Sequence, residues 1–131
     1  MHIDLETLRL FLHVLAATIW VGGQIVLGAL VPALRAAGPD VPRAAARAFN
    51  RIAWPAFGVL ILTGVWNVLA EGDKGHDYQV TLGVKLVVVA LSGVTAYAHT
   101  KATKPSGRAV FGALTAVFAL ASLFVGIVLA G

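Results

Sequence analysis

Apolar residues fall along this chain in long blocks rather than at alternate positions. From Leu10 to Leu34 no residue carries a charge. The same is true from Ile52 to Ala70 and from Ala109 to Gly131, and the stretch from Tyr78 to Thr100 is broken only by Lys85. About 20 apolar residues in a helix cross the ~30 Å hydrocarbon core of a bilayer. A helix satisfies its own backbone polar groups, which lipid cannot do. The pattern therefore predicts four transmembrane helices, spanning approximately residues 8–34, 52–70, 78–100 and 109–131, in a single domain of residues 1–131. Short connections make consecutive helices antiparallel neighbours, so the expected fold is an all-α membrane protein, a four-helix up-down bundle.

The connections carry the polar residues. Residues 37–42 form a breaker cluster with Gly38, Pro39 and Pro42, and Asp40 is placed to cap a short interfacial helix running to Arg51. Pro55 is expected within the first turn or so of the second span, where a missing donor costs little. The loop after span 2 is rich in Gly and Asp, and residues 104–107 read as a tight turn. Arg35, Arg43, Arg47 and Arg51 face only Asp40 in the first connection, and Lys101, Lys104 and Arg108 make the third connection equally basic. The amino-terminal segment (Asp4, Glu6, Arg9) and the second connection (Glu71, Asp73, Lys74, Asp77) are net acidic. Basic short loops stay in the cytoplasm, so both termini are expected on the extracytoplasmic side. A secretory signal has a basic start and a shorter apolar run; the acidic start and the length of this one predict a retained first span.

Composition agrees: 59% of the 131 residues are hydrophobic and 12% charged, against roughly 25% charged in soluble domains. With no cysteine and one methionine, disulfides, thiolate metal sites and a thioether path for Cu(I) are absent. The basic balance is explained by topology, so no nucleic-acid partner is expected. No nucleophile–base pair or paired carboxylate lies within the spans, which leaves no independent catalytic constellation.

Ionisable groups at membrane depth are costly and usually functional. His13 and Lys85 both fall roughly 7–10 Å inside the outer boundary of spans 1 and 3 at 1.5 Å per residue. Span 2 brings Asn67 to a similar level, with Thr63 one turn deeper. His13, Ala17, Trp20 and Gln24 share one stripe of span 1, and Lys85, Ser92, Ala96 and His99 share one of span 3. These place His13, Lys85, Asn67, Trp20 and His99 among the candidates for holding a cofactor. His99 lies about 20 Å from the level of His13, too far for one ion to use both within a protomer. Outside the spans, His76 with Asp73 and Asp77 could ligate a divalent ion or simply form an acidic turn. Lys85 could equally send its amine outward along its stem, and Trp54 and Trp66 occupy positions typical of interfacial belts. In span 4, Gly112, Thr115, Ala119, Ser122 and Gly126 form a small-residue packing stripe.

Several segments carry a family resemblance. Leu12-His13-Val14-Leu15-Ala16-Ala17-Thr18-Ile19-Trp20-Val21-Gly22-Gly23 resembles the first-helix signature of the copper resistance D (CopD-like) membrane proteins. Phe49-Asn50-Arg51-Ile52-Ala53, leading to Leu62-Thr63-Gly64-Val65-Trp66-Asn67, and Leu82-Gly83-Val84-Lys85-Leu86 resemble that family's following helices. The resemblance implies copper handling or transport at the bacterial cytoplasmic membrane, with a homodimer or an extracytoplasmic copper or redox partner. The same features are similar to HemJ, a related four-helix family that binds haem b. That likeness implies a functional pair at His13 and Lys85 and an oxidoreductase role. Copper, haem b and a purely structural or assembly subunit stay open at this point: imidazole suits either metal centre, and a polar residue can also do no more than pin a bundle.

Overall fold

The computed structural model describes residues 3–72 and 74–130, the side chain of Glu71 excepted. Among the described residues the structure is helical, with no strand. Helix α1 runs Leu5–Ala37, α2 Val41–Glu71, α3 His76–Lys101 and α4 Pro105–Ala130. All four are long and apolar enough to cross a membrane. The apolar side chains are turned outward: at most 17% of the most apolar window of any helix is buried. Leu62, Leu69, Phe124 and Ile127 are all largely exposed. A water-soluble protein does not leave such surface bare; lipid is the solvent that accepts it.

Each helix end has a local cause. The Asp4 carboxylate accepts the Thr7 N–H at 2.9 Å and its hydroxyl at 3.0 Å, capping α1. Gly72, at φ +69°, closes α2 in a left-handed conformation that glycine adopts without strain. Pro105 opens α4, where its lost N–H would have had no partner. The Arg108 side chain reaches back to cap the end of α3, donating to Ala102 O at 3.2 Å and Thr103 O at 3.0 Å.

The cap at Asp4 is sensitive to pH. The Thr7 N–H, then its hydroxyl, hold the Asp4 carboxyl below its ordinary value of 3.8. A depressed carboxylate pKa contributes stability above the unfolded value, and that contribution is lost as pH falls through the folded one. Amide-exchange protection at Thr7 is therefore expected to drop on acidification below about pH 4, relative to mid-helix amides. Protection that is flat across that range would remove the cap's role.

The chain divides into two compact units, residues 1–72 and 73–131. The first is an α1–α2 hairpin. Its helices are antiparallel: His13 meets Thr63, Trp20 meets Trp54 and Phe57, and Gly23 meets Phe49. Between Thr18 and Gly22 α1 widens into a π-helical turn. Trp20, 4% exposed, projects from this turn, its ring 5.3 Å from that of Trp54 and 4.5 Å from that of Phe57. The second unit is an α3–α4 hairpin built on small residues. Ser92 and Thr115 are buried, Ala119 is 1% exposed, and the Ser92 hydroxyl donates to Thr115 O at 3.2 Å. Thr115 Oγ1 lies 3.0 Å from Thr95 Oγ1. The expected small-residue stripe of span 4 is thus the face that meets α3.

Two sequence expectations change. Asp40 sits at the start of α2 without a side-chain cap bond, and the helix continues through Ile52 rather than ending near Arg51. Pro55 consequently lies well inside α2, where it deprives the Arg51 carbonyl of an i+4 donor. In each case the charges marked where a hydrocarbon span begins, whereas the helix begins two or three turns earlier.

Candidate functional site

His13 projects from α1 toward α2, half-buried, with its ring over Gly64: a Cβ there would lie 3.9 Å from His13 Cε1. Its Nδ1 is 2.7 Å from Thr63 Oγ1. That hydroxyl is in turn 2.7 Å from Val59 O, the carbonyl one turn back along α2. A hydroxyl has one proton and two acceptor lone pairs. A Thr63 proton directed at Val59 O leaves the hydroxyl oxygen to accept from Nδ1 of a ring protonated there. Nε2 then holds the lone pair. A histidine whose second nitrogen is anchored by a hydrogen bond is the arrangement found behind metal-ligating imidazoles, where the anchor sets tautomer and ring orientation.

One turn before His13 on the same stripe is Arg9, 5% exposed. Its charge counts with the acidic amino-terminal segment, and it falls just inside the expected first span. The structure extends α1 back to Leu5 and makes it a buried helical residue, 3.7 Å from Glu6. The i,i+4 spacing to His13 was the available signal. Leu5, Glu6, Arg9, Trp66 and Ala70 line a cavity of about 340 Å³ at this end of the hairpin. Asn67 lies one turn beyond Thr63, and its Oδ1 is buried with no hydrogen-bond partner among the described residues. Gln24, toward the other end of the hairpin, likewise has an unpartnered buried Nε2. His13 with Thr63, and Arg9 and Asn67 one turn farther along their helices, thus form a polar column toward one end of the hairpin.

No protein-family model matches this chain, and no curated protein or solved structure matches it significantly. The site is read from its own chemistry.

Apart from Trp20, the other candidates sit in the second unit. Lys85 is half-buried with its Nζ 3.2 Å from where a Cβ at Gly126 would stand, so its stem runs along α4 and the missing side chain of Gly126 makes room for it. His99 packs on Gly112 and its Nδ1 lies 2.7 Å from Arg108 O. A carbonyl can only accept, so His99 carries its proton on Nδ1. That contact fastens the end of α3 to the start of α4. His76 is exposed at the first residue of α3 and Asp77 follows it, while Asp73 lies outside the described residues. Among the described residues no group of three or more His, Cys, Asp or Glu side chains converges as a metal site. Trp20, two turns from His13, is engaged in the aromatic cluster.

Proposed function

We propose that this chain is a multi-pass protein of the bacterial cytoplasmic membrane, both termini outside, that holds haem b through Nε2 of His13. The observation that carries the reading is the Thr63 hydroxyl 2.7 Å from His13 Nδ1, an anchor that orients the ring and supports Nε2 as the ligating nitrogen. The donor set suits haem better than a protein-only metal site. A porphyrin brings four nitrogens and asks one or two axial ligands of the protein. Copper bound by side chains alone asks for more donors than one imidazole.

Of the remaining residues, Arg9 has the chemistry to pair with a propionate. Asn67 Oδ1 is an acceptor awaiting a donor. When bound, haem would supply one-electron transfer; the chain's part is to ligate, orient and exclude water. The orientation rests on the charged connections, with Arg35, Arg43, Arg47 and Arg51 gathered at one end of the first hairpin.

Copper handling is the second reading, supported by the CopD-like resemblance of residues 12–23 and 49–67. It would have His13 shared between two copies of the chain. The test is the absorption spectrum and metal content of the full chain purified in detergent. A Soret band with stoichiometric iron is the expected result. Colourless protein with stoichiometric copper would overturn the haem reading in favour of copper, and protein with neither would leave the polar column as a packing device.

A further inference from the structure

Helix α2 is 31 residues long, about 46 Å at 1.5 Å per residue, and so exceeds the ~30 Å hydrocarbon core by some ten residues. The surplus is at its start, because residues 43–51 hold three arginines and the apolar run begins at Ile52. This projecting segment has two different sides. Phe49 packs against Gly23 of α1, and Ala45, Ala46 and Asn50 are half-buried beside it. Arg43, Arg47 and Arg51 recur every fourth residue on the opposite side, and all three are exposed. The Phe49 contact therefore sets which way the arginine stripe faces.

Like charges spaced i,i+4 repel, yet among the described residues these three arginines make no ion pair or side-chain hydrogen bond. The one acidic residue between Arg35 and Arg51 is Asp40. Arg51 adjoins the first residue of the apolar run, at headgroup level, and Arg43 stands about 12 Å farther along the axis. Guanidinium groups engage phosphate bidentately, with a planar fork that lysine lacks.

We propose that Arg43, Arg47 and Arg51 form a binding stripe for the phosphates of anionic phospholipids, independently of any cofactor at His13. The occupant is a lipid headgroup because the stripe abuts the hydrocarbon boundary at Arg51 and carries three exposed guanidinium groups there without an acidic partner among the described residues. Surface arginines each add about fivefold to the affinity for an anionic leaflet.

The test titrates the full chain in detergent with phosphatidylglycerol or phosphatidylcholine carrying brominated chains, and follows quenching of tryptophan fluorescence. Trp54 stands one turn from Arg51, so a bound acyl chain falls within reach. Phosphatidylglycerol is expected to bind more tightly than phosphatidylcholine. Each of Arg43→Gln, Arg47→Gln and Arg51→Gln is expected to lose about fivefold of that preference, and the triple variant on the order of a hundredfold. If the triple variant does not fold, the single variants and Arg47→Lys, which keeps the charge without the planar fork and is expected to lose less of the preference than Arg47→Gln, decide the matter. Equal affinity for the two lipids would overturn the proposal, as would single variants with unchanged affinity. A short oligonucleotide that outcompetes phosphatidylglycerol would overturn it in favour of nucleic acid.

Discussion

On the proposed haem reading, His13→Ala protein is expected to bind no haem, and Thr63→Val to bind it about 10–100-fold more weakly. The two effects have different origins. Alanine at 13 removes the ligating nitrogen. Valine at 63 is nearly the shape of threonine and leaves α2 helical, but it takes away the oxygen that accepts from Nδ1 at 2.7 Å. The Nδ1–H would then face an apolar surface, the ring would be free to turn, and the opposite tautomer would put a proton on the ligating atom. Thr63→Ser keeps the hydroxyl and should bind nearly as the parent does. If the cofactor is haem, Thr63→Val should also shift its midpoint potential, since the anchor tunes the basicity of the ligand. A structural role for Thr63 alone would lower the melting temperature without moving the potential. Parent-like affinity and potential in Thr63→Val would remove the anchoring argument.

Gly23→Val is expected to destabilise the first hairpin more than any other single glycine substitution in it. The Phe49 ring occupies the space a Cβ at Gly23 would need. Overpacking of this kind costs about 1–3 kcal/mol, and in lipid, where close packing replaces the hydrophobic drive between helices, little else makes up for it. Gly22→Ala is the control: nothing lies within 4 Å of a Cβ there, so it should be close to neutral. Phe49→Ala combined with Gly23→Val should recover part of the loss, because the added methyls would fill space the ring has left. Unfolding of the four proteins in a common detergent, analysed as a double-mutant cycle, gives the coupling directly. Additive effects would show that the ring moves aside at no cost. A misplaced Phe49 would also release the segment that orients Arg43, Arg47 and Arg51.

Much of the first hairpin was legible from spacing. His13 and Trp20 lie seven residues apart, two helical turns, and both do face α2. Thr63, one turn from Asn67, is on the face that receives His13. The stripe Gly112, Thr115, Ala119 and Gly126 also meets its neighbour as its spacing implied. The burial of Arg9 was not legible, because a charge beside the terminus has the same local sequence whether it lies in a loop or in a helix. Only the continuation of α1 to Leu5, with Asp4 as its cap, distinguishes the two. Pro55 was misplaced for a related reason: charge density marks the edge of the hydrocarbon, and hydrogen bonding marks the edge of the helix.

The sequence by itself determined that there would be four long apolar helices, which segments they would use and where the charged connections would fall. Those properties follow from the transfer of side chains and backbone between water and lipid, and each segment settles them alone. Only the tertiary structure decided that Nδ1 of His13 meets the Thr63 hydroxyl, that Phe49 closes over Gly23, and that Trp54 packs on Trp20. These depend on how each helix is rotated about its axis. Rotation is set by the fit of one side chain against another across a pair of helices, which hydropathy does not record.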